Sequence, residues 1–212
     1  MAKYFDTFPK ISYSFDGFKT SERITNVISR FALEQSLKEN ASIYYTHDVR
    51  DGDTPEILSA KLYGSPDKHW IIMMMNDIID VGYDWPMDYR TLAKFIDAKY
   101  LASANSTTTG QGLSWAQINI QAYYKVETTR TPSGSTIIKR FEIDANTYAN
   151  TTISLNQQIT LSDNNVIVIN TTKETETYYD YELELNESKR QIKLLRPELV
   201  SQLEQEVRSA YL

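Results

Sequence analysis

The chain has 212 residues, with 22 Lys+Arg against 28 Asp+Glu and a formal charge of −6. It contains no cysteine and two histidines, which excludes disulfide frameworks, thiolate zinc sites, iron–sulfur clusters and Cys nucleophiles. The net negative charge argues against phosphate-backbone binding, so no nucleic acid is expected as a partner, and the longest apolar run, Trp70 to Met75, is far too short to span a bilayer.

Residues 1–20 read as an extended arm. Phe5, Phe8, Ile11, Tyr13, Phe15 and Phe18 recur along it, with near period-2 spacing from Ile11 to Phe15, while Pro9 and Gly17 discourage a helix. An arm this aromatic must bury its rings, either on its own domain or on a partner. Its polar start has no apolar core of the kind a secretory leader needs. Ser21 then has N-cap chemistry for a helix over about 22–39, with Ile24, Val27, Ile28 and Phe31 on one face and Asn40 as its terminator.

From Ser42 onward the signals sharpen. Ile43 to Val49 has strand composition and is closed by the turn Arg50-Asp51-Gly52-Asp53. Thr54 caps the next helix, Pro55 takes its first position, Ile57, Leu58 and Leu62 follow, and Gly64 suits its C-terminal stop. Ser65-Pro66-Asp67 repeats the cap-then-proline device and opens a second helix, His69 to Met75, ended by Asn76-Asp77. Successive helical residues stand about 100° apart, so Met73, Met74 and Met75 cannot all face one partner and belong to a buried helix. Asp84-Trp85-Pro86 breaks the chain before a helix reaching Tyr100, with Tyr89, Leu92, Phe95 and Ile96 on its apolar face.

At Leu101 the composition turns to Ser, Thr, Asn and Gln. Residues 103–112 read as a mobile loop or linker. Strands over 117–127 and 135–143 flank the turn Thr131-Pro132-Ser133-Gly134, and strands over 151–161 and 166–170 flank Asp163-Asn164-Asn165. Tyr178 to Leu185 alternates as a strand does, Asn186-Glu187-Ser188 turns, and Arg190 to Leu195 pairs back on it. A last helix starts near Pro197 and carries Leu199, Leu203 and Val207 on one face.

The search for chemistry finds nothing to build on. There is no G-x-S-x-G elbow, no P-loop and no H-E-x-x-H. Gly110-Gln111-Gly112 begins like a dinucleotide loop, but Trp115 stands where the third glycine belongs. His47 and His69 have no carboxylate that the sequence places beside them. No catalytic residue, metal or cofactor is therefore expected.

Tyr45 to Asn76 resembles a LysM-type βααβ module. The residues that carry the resemblance are the strand Tyr45 to Val49, the Gly52-Asp53-Thr54 turn, Ile57, Ala60 and Tyr63-Gly64 in the first helix, and Trp70 and Ile72 in the second. Such modules bind N-acetylglucosamine polymers in a shallow groove, which here implies a lining of Gly52, Asp53, Thr54, Pro55, Asn76 and Asp77. The longer series Thr54-Pro55-Glu56-Ile57-Leu58, Leu62-Tyr63-Gly64-Ser65-Pro66 and His69 to Asp77 is similar to the LysM-like core of a baseplate wedge family, the gene product fifty-three family of contractile-tailed phages. Tyr4-Phe5-Asp6-x-Phe8-Pro9, Tyr83-Asp84-Trp85-Pro86 and Lys189 to Leu195 resemble its flanks. The resemblance covers about 1–100 and 178–212, and 101–176 reads as a lineage-specific β-rich insertion.

What the resemblance implies is an α+β chain with a small LysM-like βααβ core. The extended arm spans 1–20, and a helical region spans 21–100 with the module at about 42–82. A β-hairpin insertion fills 101–176, and a hairpin with a C-terminal helix fills 177–212. The implied role is structural and not enzymatic: a virion subunit that joins wedge subunits, and neighbouring wedges of a six-fold baseplate, around the central hub. Its partners would be those subunits, its assembly would take place in the host cytoplasm, and Tyr4, Phe5, Phe8, Ile11, Tyr13 and Phe15 would anchor the arm. A glycan-binding module is the alternative reading.

Overall fold

The computed structural model describes residues 8–17, 19–26, 32–161 and 166–210. The fold is α+β with small sheets. Two compact units divide it, residues 1–88 with 187–212, and residues 89–186.

The first unit opens with β1 (Lys10–Tyr13) antiparallel to β2 (Glu22–Thr25), Ile11 facing Ile24. The helix expected from residue 22 is thus replaced at its start by a strand; Val27, Ile28 and Phe31 lie outside the described residues. Asp16 supplies the reason. Its carboxylate accepts hydrogen bonds from the Lys19 and Thr20 main-chain N–H groups and from the Ser14 and Thr20 hydroxyls. The Thr20 bonds foremost hold its pKa down at about 2. With Gly17 at φ +71° this closes a turn, and β-branched Ile24 and Thr25 continue as strand, so pairing outcompetes the Ser21 cap. Of the expected helix, the described residues retain α1 (Gln35–Lys38).

β3 (Tyr44–Asp48) leads into α2 (Pro55–Tyr63), where Thr54 accepts from the Ile57 N–H at 3.3 Å and Gly64 stops the helix at φ +71°. A 3₁₀ turn over Pro66–Lys68 precedes α3 (His69–Met75), and α4 (Val81–Asp84) is a single turn capped by Asp80. The cap and stop of α2 and the Ser65-Pro66 start that follows read in the sequence as they fold, whereas α4 is not among the expected elements.

The second unit starts with α5 (Tyr89–Tyr100). Residues 103–110 are loop, as the sequence reads, and α6 (Gln111–Ile118) takes the last two residues of that expected loop and the first two of the strand expected over 117–127. The cap of α6 comes from another helix: Asp97 of α5 accepts from the Gly110 N–H at 2.8 Å and the Leu113 N–H at 3.0 Å. A cap supplied from outside leaves no local sequence signal. β4 (Ile120–Arg130) and β5 (Thr136–Ile143) form the first expected hairpin. After α7 (Ala145–Asn150), β6 (Ser154–Thr160) pairs with β7 (Val166–Thr177); the turn Asp163-Asn164-Asn165 lies outside the described residues. The antiparallel sheet runs β5-β4-β7-β6.

α8 (Tyr178–Ser188) overturns the expected strand over 178–185. Thr177 and Asp180 cap each other, the Asp180 N–H donating to the Thr177 hydroxyl at 3.1 Å and that hydroxyl to the carboxylate at 2.7 Å. The buried residues of the helix are Glu182 and Asn186, so its inward face is polar and the apolar residues alternate by chance. Glu182 accepts from the Tyr100 hydroxyl at 2.7 Å, beside rings of Tyr100, Trp115 and Tyr178 whose centroids lie 5.0 to 5.7 Å apart.

The chain then returns to the first unit as β8 (Gln191–Leu195) and α9 (Val200–Ala210). β8 does not pair back on residues 178–185. It lies antiparallel to β3, with Tyr45 opposite Leu194 and His47 opposite Ile192. Strand, two helices and strand therefore follow one another as β3-α2-α3-β8, with the whole second unit inserted before the last strand. Ile192 and Leu194 pack with Val49, Leu58, Ile72 and Trp85 in one cluster, and Leu195 joins Ile71, Met75, Val200, Leu203 and Val207 in another. Each fully buried aliphatic side chain contributes about 1.5–3 kcal/mol.

Candidate functional site

The β1–β2 hairpin exposes what most chains bury. Phe15 is 73% exposed, and Tyr13 and Ile11 are exposed as well. The Tyr13 and Phe15 rings meet edge to face at 4.8 Å, which pre-shapes a small aromatic knob. Phe8 is buried and stands apart from that exposed set, while Tyr4 and Phe5 lie outside the described residues. The Pro9 carbonyl accepts from the Asn26 N–H at 2.8 Å and ties the ends of the hairpin.

The six residues expected to line a glycan groove have structural duties of their own. Gly52 holds φ +88° in the turn, Thr54 caps α2, and Pro55 is fully buried beneath it. The Asp53 main-chain oxygen accepts from Trp85 Nε1 at 2.9 Å, and its carboxylate meets Lys61 at 3.1 Å. Burial raises the Asp53 pKa, but Lys61 and the Arg50 N–H outweigh it and leave the carboxyl below its ordinary range. Asn76 spends its amide on main-chain groups of Ile72 and Lys193. Asp77, at φ +55°, pairs with the buried Lys38.

β8, whose pairing departs from the sequence expectation, organises this region. Lys193 exchanges main-chain bonds with the Asn76 side chain, donates from Nζ to the Lys38 carbonyl at 2.8 Å, and places Nζ 4.9 Å from the centre of the Tyr44 ring. Tyr63 donates its hydroxyl to the Leu195 carbonyl at 3.0 Å, and burial pushes its pKa well above the ordinary phenol value. No local signal announces these links, because each joins residues more than a hundred positions apart.

The two histidines do not converge on a ligand set. His69 Nδ1 lies 2.9 Å from the Pro66 carbonyl, and His47 Nε2 is buried without a hydrogen-bond partner among the described residues. Among the described residues no group of three His, Cys, Asp or Glu side chains is placed to hold a metal ion, and no helix is long and apolar enough to cross a membrane.

In the second unit the sheet carries further exposed apolar surface. Ile137, Ile138 and Phe141 on β5 and Leu155 on β6 are all exposed.

Compared with known families, residues 4–207 match the family model described as base plate wedge protein 53. The matched span runs through residues 101–176, the stretch that the sequence resemblance leaves out. No curated protein matches the chain.

Proposed function

The chain belongs to the phage base plate wedge protein 53 family, and on that premise we propose that it joins wedge subunits, and neighbouring wedges of a six-fold baseplate, around the central hub. Membership makes it a structural baseplate protein of the virion tail, with other baseplate subunits as its partners. The proposed role is contact without a catalytic step, after assembly in the host cytoplasm.

One observation carries the reading: the aromatic knob of Tyr13 and Phe15 stands exposed on a two-stranded hairpin. An aromatic anchor in the centre of an interface is worth about 2–4 kcal/mol when truncated, and leaving it in water forfeits that gain. The hairpin is the segment proposed to dock on a neighbouring subunit.

Deleting residues 2–18 tests the reading. The expected outcome is a chain that still folds but no longer enters the tail. Normal particles containing the deleted chain would overturn the docking role, and tails purified without the wild-type chain would overturn the baseplate role itself.

A further inference from the structure

A second feature of the first unit lies away from the hairpin, against the Leu195 end of β8. Between residues 32–43 and α9 lies an open apolar cleft of about 410 Å³. One wall is a stripe of the C-terminal segment, Leu199, Gln202, Leu203 and Glu206, spaced i, i+3, i+4 and i+7. The other wall carries Leu33 and Leu37, four residues apart. Leu37 remains 45% exposed although it faces this cleft.

Building on the baseplate reading above, we propose that this cleft seats an amphipathic α-helix of another baseplate subunit, one with basic residues beside its apolar stripe. The geometry selects a helix. The wall formed by Leu199, Gln202, Leu203 and Glu206 presents a ridge of helical spacing against which another helix packs at about 8–10 Å between axes. An extended segment would bring unpaired main-chain donors and acceptors into an apolar trough, whereas a helix satisfies them internally.

The charge selects the basic flank. Among the described residues the lining includes Glu34 and Glu206 and no Lys or Arg. Among the described residues neither carboxylate has a salt-bridge partner. A Lys or Arg at each edge of the incoming stripe would meet them at the rim, where charge complementarity sets orientation and rejects acidic competitors.

The absence of cysteine makes the test direct. Leu37→Cys and Gln202→Cys each give the chain a single thiol at an exposed lining position. Maleimide labelling is followed on the free chain and on purified tails that contain it. Both thiols should label at least about tenfold more slowly in tails than in the free chain. A thiol–amine cross-linker attached to the thiol of the Gln202→Cys variant should then reach a lysine within a helix of a different subunit. Equal labelling rates in the two states would overturn the proposal. So would a cross-link to this chain's own residues, to a second copy, or to a non-helical segment. Tails lacking the chain would instead refute the baseplate reading on which the proposal rests, so the two failures are distinguishable.

Discussion

Asn76 and Lys193 are joined in both directions: the Asn76 amide donates to the Lys193 carbonyl at 2.8 Å and accepts from the Lys193 N–H at 2.7 Å. A single side chain thus imitates a neighbouring strand and fastens the end of α3 to β8. Replacing it with Ala leaves two half-buried main-chain groups without partners, each worth about 1–3 kcal/mol. Asn76→Ala should therefore lower the first unit's stability by about 2–4 kcal/mol in urea unfolding, with an unchanged denaturant slope. Asn76→Asp keeps the acceptor and loses the donor, and should fall between wild type and Ala.

The same engagement bears on the glycan alternative. Thr54 is spent on capping α2, Asn76 on β8 and Asp77 on Lys38. Titration calorimetry with N-acetylglucosamine oligomers should give no saturable heat. Saturable binding weakened by Thr54→Ala would make the structural role incomplete.

Gly112 fixes the approach of α6 to α5. A Cβ there would lie 2.1 Å from the Asp97 carbonyl oxygen and 2.7 Å from the Leu101 nitrogen, both main-chain atoms that cannot swing away. Gly112→Ala gains helix propensity but must force two packed segments apart. The expected net effect is a loss of about 2–4 kcal/mol, at or above the usual overpacking range. Thermal unfolding followed by circular dichroism should register it, and an unchanged midpoint would show that α5 and α6 can separate freely.

Asp97 adds a pH signature to the same helix pair. The N–H groups of Gly110 and then Leu113 hold its carboxyl below the usual aspartate range, and burial opposes them only in part. A depressed folded-state pKa adds stability that is present above the ordinary aspartate value. That contribution is lost as pH falls through the lowered value. The second unit should hold its stability down to mildly acidic pH and lose it below. Asp97→Asn should be less stable at neutral pH and should flatten this acid limb, read as melting temperature against pH.

Local chemistry is legible in the sequence and non-local chemistry is not. Thr54-Pro55 and Gly64 announce the start and stop of α2 because a cap acts within one turn. α8 reads as a strand because its buried positions, Glu182 and Asn186, are polar, so the pattern of its apolar residues carries no helical period. β2 reads as a helix because the Asp16 turn that pairs it with β1 precedes the segment it controls. The partner of β8 is hidden because β3 lies on the far side of an inserted unit, and no spacing in Gln191 to Leu195 points there. Of the surface proposed for docking, the period-2 apolar run through Ile11, Tyr13 and Phe15 is visible in the sequence. The cleft between Leu37 and Leu199 exists only once distant segments meet.

Tyr13 and Phe15 permit a finer test of docking than deletion does. Both are exposed, so replacing them with Ser removes almost no internal packing and should leave the folding stability within about 0.5 kcal/mol of wild type. If the knob seats in a neighbouring subunit, each substitution forfeits an aromatic anchor, and loss of about 2 kcal/mol lowers binding roughly thirtyfold. Because the rings support each other edge to face, the double substitution should fall short of the sum of the two singles. The measurement is competition between wild-type and variant chains for incorporation into tails, quantified by mass spectrometry. Equal incorporation of the double variant would remove the hairpin from the interface and leave its exposure without a role.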